Sequence, residues 1–183
     1  DADLDQVADG LMGAAYGSAG ERCMALSVAV AVGGIGDALI EKLQPRVKAL
    51  KVGPGNDSDV AMGPLISGAH LAKVKSYVES GVKDGASLLV DGRDISLQGY
   101  ENCFFIGGCL FDNVTSDMPI YKEEIFGPVL SVVSYESFES AVKLVIEHGF
   151  GNVVAIYPLD GATAQAVSNQ CQLGGVGRKV PMR

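Results

Sequence analysis

The run LSVAVAV, residues 26–32, is built only from small and β-branched or aliphatic side chains and carries no charge. A stretch of that length and composition buries as a β-strand. Directly behind it comes GDALIEKLQPRVKALKVG, in which Ala38, Leu39, Leu43, Val47 and Leu50 recur at helical spacing. A buried strand followed by an amphipathic helix restricts the chain to a layered fold, because each helix must lay its apolar stripe on a sheet. Pro45 is expected to kink that helix or split it in two.

The alternation continues along the chain. Asp1 or Asp3 can cap a first helix whose stripe is Leu4, Val7, Leu11 and Ala14/Ala15, with Gly17 and Gly20 breaking it. Residues 51–66 hold Pro and Gly in a turn-rich connection, and Ser67 can cap a third helix through about Asp84, ended by Gly85. ASLLVDG, Cys103–Leu110 and Val129–Tyr135 read as strands, Phe138–His148 as a helix stopped by Gly149. VVAIYPLD, the helix GATAQAVSNQCQ and GGVGRKV follow. The expectation is a single α/β domain over 1–183, a layered and largely parallel sheet flanked by helices.

Composition narrows the function. With 48% hydrophobic and 20% charged residues, the chain has the profile of a folded domain. A net charge of −8 argues against a nucleic-acid partner, and no apolar run reaches bilayer length. Four cysteines, at 23, 103, 109 and 171, lack metal-clip spacing, and only two histidines could complete a site, so no metal is expected. Cys103, Cys109 and Cys171 sit among apolar or small neighbours and are expected in the core, in a reducing compartment.

Cys23 differs, lying in GSAGERCMA between a glycine-rich turn and the strand. A thiolate is a strong nucleophile, a neighbouring cation such as Arg22 favours it, and the backbone N–H of Cys23 could donate to an oxyanion. The plain alternative is a small buried residue. In YKEEIFGPVLSV, residues 121–132, a pair of acids precedes an aromatic and a Gly-Pro turn. A carboxylate there could accept two ligand hydroxyls beside a flat apolar surface; a solvated loop tip is the plain alternative. Arg22 suits a substrate carboxylate through its guanidinium fork, or else an ion pair with Glu21 or Glu123. Glu21 itself is expected at the surface or in a loop contact. His70 and His148 are expected to have no catalytic role, His148 suiting a helix C-terminus.

GSAGERCMA followed by KEEIFGPV, with KVGPG…MGPLI, GYEN at 99–102 and GN at 151–152 between and after them, resembles the catalytic domain of the aldehyde dehydrogenase superfamily over nearly the whole chain. RCMA, LQGYEN and YKEEIFGPVLSV are most similar to its methylmalonate-semialdehyde branch, which acylates coenzyme A. The resemblance implies that Cys23 is the catalytic nucleophile, that Arg22 binds the carboxylate of a semialdehyde acid, and that Glu124 and Phe126 hold the nicotinamide end of NAD. It implies coenzyme A as co-substrate, a homo-oligomer (a tetramer) for the whole enzyme, and a cytoplasmic or mitochondrial-matrix location.

The same resemblance implies an upstream dinucleotide-binding domain and a C-terminal oligomerisation region that these residues do not include, and no GxGxxG occurs here. The 183 residues alone are therefore expected to lack appreciable NAD-dependent activity. GNVVAIYPLD and GGVGRKVPMR depart from the family pattern near the end. The alternatives are another aldehyde dehydrogenase that releases the free acid, a non-catalytic domain kept for subunit contact, and a thiol hydrolase, which would need a histidine base.

Overall fold

A computed structural model of the chain describes residues 2–181, so Asp1, one of the two candidate caps, lies outside the described residues. Asp3 does cap the first helix: its carboxylate accepts from the amides of Asp5 and Gln6, at 3.0 and 3.2 Å. Helix α1 is Leu4–Leu11 and buries Ala8 and Leu11. The apolar stripe continues past it, but the backbone does not stay α-helical. Met12–Tyr16 widens into one π-helical turn, and Gly17–Gly20 tightens into a 3-10 turn with Ser18 and Ala19 in the left-handed region. Such interruptions of a helix commonly mark functional ground.

Four strands form the main sheet: β1 (Val28–Val32), β2 (Ser87–Val90), β3 (Cys109–Asp112) and β4 (Val129–Tyr135), in the order β1-β4-β3-β2. β4 runs parallel to both β1 and β3, whereas β2 is antiparallel to β3 with an irregularity between Leu88 and Val90. Residues 129–133 of β4 are buried without a break, as a central parallel strand requires. β1 is an edge strand instead. Only Ala29 and Ala31 are buried, and its three valines are half-buried on the other face. This corrects the reading of 26–32 as a uniformly buried strand.

Helix α2 (Gly36–Lys48) is continuous despite Pro45. Pro45 sits in its last turn on the exposed side, where a missing amide donor leaves no buried group behind it on its own residue. Helix α3 (Gly68–Lys83) is capped by Ser67, whose hydroxyl accepts from His70 N at 3.2 Å, and it buries Val74 and Val78. Gly85 follows with φ +98° and ends it as expected. The short α4 (Pro119–Lys122) leads into the loop before β4. α5 (Phe138–Glu147) is capped by Ser137, and α6 (Gly161–Gln170) by Asp160.

A second, two-stranded parallel sheet pairs β5 (Val153–Ile156) with β6 (Gly175–Arg178). The observed architecture is thus α/β and largely parallel with flanking helices. Among the described residues no helix is long and apolar enough to cross a membrane. Cys109 and Cys171 are buried, but Cys103 is exposed, contrary to its expected place in the core. Its segment is a turn, with Cys103 N donating to Tyr100 O, and the strand begins only at Cys109, after a close backbone contact of Gly107 with Gly92.

Candidate active site

The π-helical turn and the 3-10 turn lead into Arg22, Cys23 and Ala25, which line an open cavity of about 690 Å³. Tyr16, fully buried, pins the turn to the main sheet by donating from its hydroxyl to Cys109 O at 3.0 Å. The widened turn leaves carbonyls for a side chain to take. Arg22 Nη2 donates to Gly13 O and Ala14 O, both at 3.0 Å. Arg22 Nε is buried and has no hydrogen-bond partner among the described residues. An unpaired donor on a charged group is costly to bury, so it is a place where an incoming acceptor is favoured.

No carboxylate among the described residues pairs with Arg22. The two candidates for such a pair are engaged elsewhere. Glu21 is a loop contact, its Oε1 accepting from Ile66 N at 3.2 Å and lying 3.4 Å from His70 Nε2. Glu123 accepts from the Tyr77 hydroxyl, which holds the Tyr77 phenol above its ordinary value.

Cys23 is exposed at the cavity, and its carbonyl accepts from Asn152 Nδ2 at 2.8 Å. Cys109 has the opposite setting. Burial pushes its thiol up to about 11, so it is protonated and inert at neutral pH.

The loop 123–127 forms another wall of the same cavity. Glu124 is exposed, and its carboxylate has no partner among the described residues, whereas its carbonyl accepts from Lys73 Nζ at 3.1 Å. Phe126 is half-buried and adopts φ +60°, a strained value for a bulky residue. The loop can reach the Cys23 turn because both sides use glycine. A Cβ on Gly20 (φ +70°) would lie 2.3 Å from Gly127 O, and one on Gly127 would lie 2.6 Å from Val74 Cγ2. Arg22, Cys23, Glu124 and Phe126, singled out from separate motifs, therefore line one cavity.

The aldehyde dehydrogenase family model matches residues 1–181. The chain belongs to the aldehyde dehydrogenase family. It is 54% identical over 183 residues to malonate-semialdehyde dehydrogenase of Pseudomonas aeruginosa, covering 100% of this chain and 37% of that protein. It is 43% identical over 181 residues to methylmalonate-semialdehyde/malonate-semialdehyde dehydrogenase [acylating], mitochondrial, of Bos taurus, covering 99% of this chain and 34% of that one. A solved structure described as a methylmalonate-semialdehyde dehydrogenase of Sinorhizobium meliloti 1021, complexed with NAD, superimposes with a TM-score of 0.97. The identity there is 54%, over 99% of this chain and 37% of that one. The chain thus spans a little over a third of the length of these aldehyde dehydrogenases.

Asn152 lines the cavity, and His70, Lys73 and Tyr77 bond to the 123–127 loop that walls it; the motifs assigned none of these contacts. His70, Lys73 and Tyr77 do recur at i, i+3 and i+7 beside the Val74/Val78 stripe of α3, a polar face whose partner loop only the tertiary fold reveals.

Proposed function

We propose that these residues supply the nucleophile and the substrate anchor of an NAD-dependent, coenzyme A-acylating (methyl)malonate-semialdehyde dehydrogenase. The observation that carries this reading is Arg22. Its guanidinium is oriented by two backbone carbonyls, keeps a buried unpaired Nε–H, and belongs to the residue next to an exposed cysteine. A carboxylate accepting from Arg22 would hold an aldehyde carbon close to Cys23.

In this reading the Cys23 thiolate adds to the aldehyde carbon, forming a thiohemiacetal, and the backbone N–H of Cys23 donates to the developing oxyanion. Loss of hydride from that carbon leaves a thioester on Cys23. The thioester carbonyl lies β to the substrate carboxylate and accepts the electron pair when carbon dioxide departs, and the enolate so formed takes a proton from water at its α-carbon. The thiol of coenzyme A then takes the acyl group, giving acetyl-CoA or, from the methyl-substituted substrate, propionyl-CoA.

The residues present fit the nicotinamide end of NAD. Glu124 offers an unpaired carboxylate for ribose hydroxyls, and Phe126 offers a flat apolar wall on the cavity that holds Cys23. Bound NAD supplies the hydride acceptor. Because the chain spans a little over a third of the length of the relatives it matches, the reaction is proposed for a protein of their full length.

The test uses the full-length protein that carries this chain. Cys23→Ala is expected to lower NADH formation from malonate semialdehyde by more than about a thousandfold, as loss of a nucleophile does. Arg22→Lys can still bond to Gly13 and Ala14 but has no Nε–H to offer. It is expected to raise KM for semialdehyde acids by roughly ten- to a hundredfold, with little change for unsubstituted aldehydes. Equal effects on both substrate types would remove Arg22 from substrate binding. Acyl-CoA appearing in step with NADH would support coenzyme A as acceptor; free acid formed at the same rate without it would exclude that branch.

A further inference from the structure

His70 lies in the first turn of α3 and touches both halves of the site. Its Nε2 is 2.6 Å from Phe126 O and 3.4 Å from Glu21 Oε1. A carbonyl can only accept, so Nε2 carries a proton and donates to Phe126. The imidazole also meets the Phe126 ring edge-on, with centroids 6.5 Å apart at 69°. Both the His70 and Glu21 side chains are about five-sixths buried, so water does not compete freely for these contacts. Ser67 caps the helix on His70 N, and Ile66 N donates to the other side of the link at Glu21, which fixes where the imidazole stands.

The Phe126 backbone needs such a contact. At φ +60° it holds a bulky residue in the left-handed region, a conformation that persists only where the surroundings over-determine it. Lys73 and Tyr77, further along α3, hold Glu124 O and the Glu123 carboxylate, and among the described residues neither hydrogen-bonds to Phe126 or to the Cys23 turn. Glu21 stands two positions before Cys23, so His70 sets the distance between the nucleophile's turn and the aromatic wall.

We propose that His70 is a positioning residue that, through its Nε2 donor bond to Phe126 O beside Glu21, holds Phe126 and Glu124 in register with Cys23 for the nicotinamide end of NAD. The proposal rests on the cofactor assignment made above. It places on α3 a group that shapes the cofactor wall without acting on the reacting atoms.

The test compares His70→Ala, His70→Asn and His70→Gln in the full-length protein. The readouts are Kd for NADH by fluorescence titration, KM for NAD against kcat, and the rate of Cys23 alkylation by iodoacetamide without nucleotide, located by peptide mass because Cys103 is also exposed. A glutamine amide places an N–H near the position of Nε2, whereas an asparagine amide falls one bond short. His70→Ala and His70→Asn are expected to raise Kd for NADH and KM for NAD by roughly three- to tenfold, the loss of one neutral hydrogen bond. His70→Gln is expected to return both to within about twofold of the wild-type value, with Cys23 alkylation unchanged in all three.

A wild-type Kd in His70→Asn, or a His70→Gln variant as weak as His70→Asn, overturns the proposal. If His70→Ala does not fold, the Asn and Gln pair decides alone. Wild-type protein that neither binds NADH nor reduces NAD overturns the cofactor assignment, and this proposal with it. Wild-type protein that does both, beside an unaffected His70→Asn, overturns this proposal only.

Discussion

The two sheets of this molecule are built to different standards. In the four-stranded sheet, β4 is buried from Val129 to Val133 and packs with Leu110 and Phe111 of β3, which are wholly inaccessible to solvent. In the two-stranded sheet every residue of β5 is only half-buried, and the local cluster is Val142, Val167 and Cys171 with a few partly covered neighbours. The candidate site lies between them and is not shared equally. Tyr16 and the Gly20–Gly127 crossing fasten the Cys23 turn to the large sheet, while the small sheet reaches it through Asn152. The Cys23 turn is therefore positioned by the part of the fold that is costliest to deform, and adjusted by the part that is cheapest.

The sharpest way to break that contrast is to truncate an equivalent side chain in each sheet. Leu130→Ala empties a fully buried position in β4 and is expected to cost about 3–5 kcal/mol, whereas Ile156→Ala in half-buried β5 is expected to cost about 1–2 kcal/mol. Thermal melting of the full-length protein measures both. Amide hydrogen exchange should also be faster in β5 and β6 than in β3 and β4. Equal losses, or slower exchange in the small sheet, would mean that the two sheets are held alike.

This contrast was only half legible in the sequence. Signals that act within a few residues were read correctly: the Ser67 cap, the Gly85 stop, and the span of α5 to within a residue. Signals that depend on a distant neighbour were not. LSVAVAV has the composition of a central strand, yet β1 is an edge, and only the strand order places its valines on the open cavity. Cys103 and Cys109 have similar neighbours in the chain, yet Cys103 ends an exposed turn while the chain from Phe105 onward, through the Gly92–Gly107 contact to Cys109, is buried. For the site, GSAGERC and KEEIFGPV were recognisable as motifs, and both line one cavity. The bonds of α3 to the second motif span about fifty positions or, for Tyr77, slightly fewer, and no local pattern records such a partner.

The Gly20–Gly127 crossing is the next place to probe. Gly20→Ala is expected to cost about 2–4 kcal/mol, because a methyl group at a left-handed φ must also displace a backbone carbonyl. Gly33 offers a control with the same sign of strain. Its φ is +71°, nothing lies within 4 Å of a Cβ there, and Gly33→Ala is expected to cost about 1 kcal/mol. The difference in melting between the two variants isolates the close approach from the backbone strain. On the proposed function, NAD-dependent activity of the full-length protein should fall with Gly20→Ala and hold with Gly33→Ala, since Gly127 follows Phe126 directly. Similar costs at both positions would show that the crossing has room to spare.

The smallest expected effect concerns the link from the small sheet. Asn152→Ala removes one donor to Cys23 O and is expected to cost about 0.5–1.5 kcal/mol. Asn152→Asp keeps the shape but sets a carboxylate against that carbonyl, so it is expected to cost more than the alanine variant. Because the bond ends on the backbone of Cys23 itself, its loss should appear in thiol reactivity before it appears in melting. Cys23 alkylation should change by a few-fold in Asn152→Ala, while alkylation of Cys103, outside the cavity lining, stays constant. An unchanged Cys23 rate in both Asn152 variants would leave the large sheet as the sole support of the Cys23 turn.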